Sequence, residues 1–192
     1  MILLGLGSNL PSSYGDRFKN IDLAISALNG YGIQVKKKSS YYESLSYPNK
    51  TNPRFINIVA DVETDLPPVD LASVSIFIEE SLERKRGRKN DPRTCDIDII
   101  DYKNQIINFK YKDLDFTVPH RKLIYRNFVL FPLQEIYPGW IHPQTKEPIS
   151  ALIENLSTED KNSILKIKKP WYNIYMLNHE DLIKKVKTYN RF

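Results

Sequence analysis

A single cysteine, Cys95, stands in a chain of 192 residues. One thiol excludes an internal disulfide and any zinc centre built on paired cysteines. No apolar run approaches the roughly 20 residues of a membrane helix. The opening MILLGLG lacks a basic flank and is too short for a secretory leader, so a cytoplasmic location is expected. The sequons Asn49-Lys50-Thr51 and Asn155-Leu156-Ser157 then read as chance matches. No G-x-x-x-x-G-K-[ST] occurs, and GLGSNL has Gly5 and Gly7 but Leu10 where a dinucleotide fingerprint needs its third glycine. Both known phosphate loops are excluded, and these glycines read as a strand-to-helix turn. Internal repeats are absent as well.

What is present suits one globular domain. Hydrophobic residues make up 41% and charged residues 27%, enough apolar content for a real core. The formal net charge of +5 is compatible with nucleic acid, an acidic membrane or a polyphosphate, and chooses none of them. Met1 to Leu6 reads as a buried strand, Arg17 to Leu28 as a helix ended by Gly30 and Gly32, and Ile33 to Tyr42 as a strand. Glu43 to Pro53 reads as a loop. FINIVADV (Phe55 to Val62) alternates as a strand, and a helix from LPPVDL runs to about Leu82. A strand to about Tyr102 and another from Gln105 to Phe109 follow; Tyr125 to Leu133 fits a helix or a short strand. The order β-α-β-β-α-β predicts an α+β fold, a ferredoxin-like sandwich with a mainly antiparallel sheet and helices packed on it.

Three stretches carry chemistry. ERKRGRKNDPR, from Glu83 to Arg93, holds six Lys or Arg in eleven residues. Gly87 lets this loop flex, and Arg93 is anchored where the next strand begins. A mobile basic loop suits closure over a polyphosphate, with arginine forks on its oxygens. DPRTCDIDIIDY comes next. Residues i and i+2 of a strand share a face, so Asp96 and Asp98 stand side by side, with Ile100 continuing their row and Cys95 turned toward the core. Paired hard oxygen ligands beside a basic loop suit magnesium carried by a nucleotide, and two ions can hold the attacking and leaving oxygens of a phosphoryl transfer. The third stretch, TVPHRKLIYRNF, offers His120, Arg121 and Arg126 as phosphate donors, and His120 as a proton shuttle.

PRTCDIDII followed by VPH and RNF resembles the 6-hydroxymethyl-7,8-dihydropterin pyrophosphokinase family of folate biosynthesis. GSN near the start, SSYY at 39–42 and FIN at 55–57 extend the similarity over roughly residues 1–160. The resemblance implies transfer of pyrophosphate from ATP, as co-substrate, to a pterin hydroxymethyl group, with AMP released. It implies Asp96 and Asp98 on two Mg²⁺ ions and Arg84 and Arg93 as catalytic arginines of the mobile loop. It further implies Glu79, Thr117, His120, Arg121 and Arg126 around the nucleotide. Phe55 and Phe128 would sandwich the pterin, Asn57 would read its edge, and Ser44 would add a contact. Stacking on both faces and one amide in the plane are what a flat heterocycle needs.

Three positions depart from the family pattern: Glu83 replaces a Gly, Asn90-Asp91 replace Trp-Gly, and Arg121 replaces an aromatic. All three bear on loop closure and adenine contacts. The partners implied are small molecules and other folate-pathway enzymes, with no nucleic acid and no membrane, for a monomer. A catalytic domain over residues 1–163 is expected, followed by a basic and aromatic extension over 164–192, in which Asn178 can cap a final helix. The rival readings are a nucleic-acid-binding module and a non-catalytic scaffold. The first needs an RNP1-like aromatic pattern that is missing, since Arg86-Gly87 is followed by Arg88; the intact ligand set speaks against the second.

Overall fold

The computed structural model describes residues 1–88 and 90–170. β1 (Ile2–Ser8) is followed by α1 (Arg17–Gly30), β2 (Gln34–Lys38), β3 (Tyr41–Ser44) and β4 (Phe55–Glu63). α2 (Pro68–Ser81) leads to β5 (Asp96–Tyr102) and then to a hairpin of β6 (Ile107–Tyr111) and β7 (Leu114–Val118). A 3-10 turn (Leu123–Tyr125), α3 (Asn127–Ile136), α4 (Ile149–Glu154), α5 (Thr158–Asn162) and β8 (Leu165–Ile167) complete the described order. Local sequence accounts for the helix starts. Asp16 caps α1 by accepting from Lys19 N at 2.9 Å, and Pro68 stands at the first turn of α2, where its missing N–H costs nothing.

The strands of the main sheet run in the order β5-β1-β4-β3-β8, with β2 also on β4, and every pair is antiparallel. One face packs Leu4, Leu6, Ile56, Ile58 and Ile97 against α1 and α2; the other packs Leu3, Val59 and Ile100 against α3 and α4. The sheet is therefore covered on both sides, which explains why Val59 on one face of FINIVADV is buried as fully as Ile56 and Ile58 on the other.

Three local expectations change and one open alternative is decided. The first strand continues through Ser8, so Gly5 and Gly7 are strand residues and not a turn. The single strand expected over 33–42 is two, because Ser39 turns its hydroxyl onto its own chain (Ser39 Oγ to Ser40 O, 2.8 Å) and accepts from Val59 N at 3.1 Å. Ser44, expected in a loop, ends β3 instead. Of the helix or short strand open for 125–133, the structure takes a helix from Asn127, despite Pro132, whose ring removes only the bond to the Phe128 carbonyl. The extension expected after Ser163 begins with β8, which pairs with β3, and Lys169 then meets Asp22 of α1. The final helix at Asn178 lies outside the described residues.

Candidate functional site

The register of the sheet builds the site floor. Gly7 of β1 pairs with Asp96 on one side and with Asn57 on the other, and Asn57 pairs in turn with Tyr42. Directly paired residues point to the same face, so Asp96, Gly7 and Asn57 form one row across three strands. At about 4.8 Å per strand, Asp96 and Asn57 lie roughly 10 Å apart. The Phe55 ring and the Arg93 guanidinium stacked on it reach over Gly7 toward Asp96. A Cβ on Gly7 would come to 3.3 Å from Asn57 Oδ1 and 3.5 Å from the Phe55 ring. A neighbouring row joins Asp98 to Gly5. A Cβ on Gly5 would come to 2.9 Å from Ile100 Cδ1, so both glycines make room for neighbouring side chains.

At one end of the floor lies a cluster of charge. Arg84 Nη1 donates to Asp96 Oδ1 at 2.6 Å and to Glu79 Oε1 at 2.5 Å. Arg93 Nε approaches Asp96 Oδ2 at 3.1 Å, and Arg126 Nη1 reaches Asp98 Oδ2 at 3.1 Å. Arg86 Nη2 closes on Glu79 Oε2 at 2.7 Å, and Ile97 N donates to Glu79 Oε1 at 2.7 Å. Four guanidinium groups thus face three carboxylates, which leaves the cluster positive before any ligand arrives. Burial opposes the charge on Asp96, but Arg93 and Arg84 outweigh it and hold its carboxyl below the ordinary value. For Glu79, enclosed beneath the loop, burial wins and pushes the carboxyl up to about 8 against the pull of Arg84 and Arg86.

The donor set suits a metal delivered with a polyphosphate. No group of three or more His, Cys, Asp or Glu able to hold an ion occurs among the described residues. Two carboxylates on one strand fit the usual magnesium arrangement, in which phosphate oxygens and water complete the shell. The carboxylate oxygens already attract cations, here guanidinium groups.

At the other end are the aromatic and amide groups. Asn57 is buried and donates from Nδ2 to Ser44 Oγ at 3.0 Å and to the Tyr42 carbonyl at 3.4 Å. These bonds fix the plane of its amide. Phe55 is half-buried at the start of β4, with the Arg93 guanidinium 5.3 Å above its ring. Phe128 is half-buried in the first turn of α3, with Arg126 at 5.4 Å. Each ring therefore carries a flat cation on its face, a place that an aromatic ligand can share or take over.

The hairpin supplies a third part. Thr117, His120 and Arg121 line a cavity of about 610 Å³ with Phe109 and Phe116, whose rings stack at 4.9 Å. His120 Nδ1 accepts from Lys122 N at 3.0 Å, and burial together with the nearby Arg126 charge depresses its pKa below the ordinary value. The neutral ring keeps a donor at Nε2.

The structure thus brings Asp96, Asp98, Glu79, Arg84, Arg93 and Arg126 into one cluster, with Ser44, Asn57 and Phe55 on the adjoining strands. Thr117, His120 and Arg121 stand together in the hairpin cavity. Sequence reading missed Arg86, although its place two residues after Arg84 in the basic loop was a signal. It also missed Asn9, which had none beyond its motif, and β7, whose short polar run hides its alternation.

The sequence profile of the 7,8-dihydro-6-hydroxymethylpterin-pyrophosphokinase family matches residues 3–138. The 2-amino-4-hydroxy-6-hydroxymethyldihydropteridine pyrophosphokinase of Aquifex aeolicus is 34% identical over 166 residues, 86% of this chain and 98% of the relative. The folic acid synthesis protein fol1 of Pneumocystis carinii is 35% identical over 164 residues, 85% of this chain but 21% of the relative. This chain spans about a fifth of such fungal relatives. A solved HPPK-DHPS in complex with substrates superposes with a TM-score of 0.64 over 87% of this chain and 47% of that one, at 15% identity, a likeness of fold. With a matching profile over most of the described residues and a relative aligned almost end to end, the chain belongs to the 7,8-dihydro-6-hydroxymethylpterin-pyrophosphokinase family.

Proposed function

We propose that this chain transfers the pyrophosphoryl group of ATP to the hydroxyl of 6-hydroxymethyl-7,8-dihydropterin and releases AMP. One observation carries the reading: the row Asp96, Gly7, Asn57 joins the carboxylate and arginine cluster to the amide and aromatic groups across three adjacent strands. On this reading Phe55 and Phe128 flank the pterin, with Asn57 at its edge and Ser44 holding the amide. Glu79, Arg84, Arg93, Thr117, His120, Arg121 and Arg126 surround the nucleotide. Asp96 and Asp98 hold two Mg²⁺, which supply Lewis-acid stabilisation of the phosphate charge.

The pterin hydroxyl oxygen attacks the β-phosphorus in line and gives up its proton to water, the bond from that phosphorus to the α–β bridging oxygen breaks, and the oxygen leaves with AMP. Phe55, Asn57 and Phe128 fix the direction of attack, and proximity of this kind supplies much of the rate. To meet the phosphates, Arg84 and Arg93 exchange Asp96 for phosphate oxygens, where they offset charge on the transferred group and on AMP. Glu79 is the buried acceptor that holds Arg84 and Arg86 near while they are unliganded.

The strand order, with β2 and β3 taken as one broken strand, supports a ferredoxin-like sandwich extended by β8. Substrates of this size need no second chain, in keeping with a monomer. Product analysis after mixing the protein with MgATP and the pterin tests the proposal. AMP formed only with pterin, and lost in Asp96→Ala, is the expected result; ADP, or no turnover, would sink it.

A further inference from the structure

Asn9 has no part in the chemistry above, yet it is buried at 2% exposure and every polar atom of its amide is engaged. Its Oδ1 accepts from Arg93 N at 2.6 Å. Its Nδ2 donates to the Pro53 carbonyl at 3.0 Å and to Ser46 Oγ at 3.3 Å. Ser46 Oγ in turn donates to Pro53 O at 2.5 Å. The backbone adds two more bonds, from Asn9 N and Leu10 N to Arg93 O, at 3.0 and 3.1 Å.

The two sides of this amide belong to different halves of the site. Arg93 ends the basic loop and touches Asp96. Pro53 lies two residues before Phe55, and Ser46 two residues after Ser44, so both belong to the segment that leads from β3 into β4. We infer that Asn9 is a positioning residue that registers the phosphate-bearing half of the site on the ring-bearing half. The inference rests on the proposed function and adds to it. It assigns the in-line alignment of the two substrates to an amide that touches neither.

The physical case is one of connectivity. Arg93 and Phe55 lie 38 residues apart in sequence, and through Asn9 a rigid amide of about 2.3 Å between O and N links their backbones. Without it, the 45–53 segment is still held by β3 and β4 at its two ends and the 91–94 segment by β5 and the backbone bonds to Arg93 O, so each half keeps its own ligand contacts. What is lost is their mutual placement. Displacement of reacting atoms by about 1 Å costs on the order of 100-fold in rate.

Asn9→Asp keeps the acceptor for Arg93 N and puts an acceptor where Nδ2 donated to Pro53 O. Ser46→Ala removes only the hydroxyl of the ring-side contact and guards against a folding failure of the first variant. Three quantities are measured: AMP release, equilibrium binding of the pterin alone and of MgATP alone, and amide hydrogen exchange over residues 91–95 with and without pterin. Expected for Asn9→Asp is a kcat lower by about 100-fold, with each separate dissociation constant within about threefold of the parent. Ser46→Ala is expected to lose about tenfold in the same pattern. Pterin should slow exchange at 91–95 in the parent and fail to do so in Asn9→Asp.

A kcat within about threefold of the parent in both variants would overturn the inference, as would a rate loss matched by an equal loss in binding of one substrate alone. A parent that makes no AMP but shows pterin-dependent protection at 91–95 overturns the proposed reaction and leaves the registering role intact. A parent that makes AMP without that protection overturns the registering role alone.

Discussion

Asp96 and Asp98 are the same residue, two positions apart on one face of β5, yet they stand in different surroundings. The Asp96 side chain is 22% exposed and answers to Arg84 and Arg93; the Asp98 side chain is 41% exposed and answers to Arg126. Each belongs to a similar trio: Asp96 with Arg93 and Phe55, Asp98 with Arg126 and Phe128. The difference lies in where the arginine comes from. Arg93 is three residues from its aspartate and is tied down through its backbone by Asn9, whereas Arg126 arrives from the start of a helix across the site. A ligand entering the site meets one enclosed carboxylate and one open one. The open one can exchange its cation first, and the enclosed one sets the charge of the cluster.

The comparison can be broken most directly by Asp96→Ala against Asp98→Ala. Loss of Asp96 leaves Arg84 and Arg93 facing each other without their shared carboxylate. Turnover should fall by about 1,000-fold, against about 100-fold for Asp98→Ala, as read by AMP release. Equal losses would mean that enclosure has no bearing on catalysis. Gly7→Ala comes next, since its methyl would press on the Asn57 amide and on the Phe55 ring. About a tenfold weaker apparent affinity for pterin, with MgATP binding unchanged, is expected from pterin titrations.

Smaller effects sharpen the picture on stability. Arg86→Ala leaves the buried Glu79 with one arginine fewer. Because Arg86 is partly solvated, a loss of about 1 kcal/mol in urea unfolding is expected, not the larger figure for a fully buried pair. Away from the site, burial depresses the His142 pKa, and its Nδ1 accepts from Gln144 N and Thr145 N at 3.2 and 3.1 Å. The folded chain therefore binds fewer protons at this ring than the unfolded chain does just below the ordinary histidine value. Stability is full above that value and falls as pH drops through it. Between melts at pH 7.5 and pH 5 the parent should lose more stability than His142→Asn, which lacks this titration. No change in that difference on substitution would place the acid sensitivity elsewhere.

Much of the site was legible because its signals are local. The two-residue period of a strand put Asp96, Asp98 and Ile100 on one face, and the structure keeps them there, with Ile100 buried against α3. The strand FINIVADV was legible from its pattern, and Phe55 and Asn57 were singled out in it by the family resemblance. The break between β2 and β3 was not legible, because it depends on a serine hydroxyl meeting Val59 from a strand 20 residues away. Arg86 looked like one more solvated cation. Only the fold of the loop over Glu79 gives it a partner.

Sequence alone determined the strand and helix periods, the pairing of two carboxylates on one face and the density of cations in one loop, since each follows from spacing along the chain. Tertiary structure decided which cation meets which carboxylate. It also decided that β1 lies between β4 and β5, so that Gly7 stands between Asp96 and Asn57 and Asn9 bridges the segments beyond. These last features depend on strand order, which is fixed by how two apolar faces are covered at once and which no local pattern records.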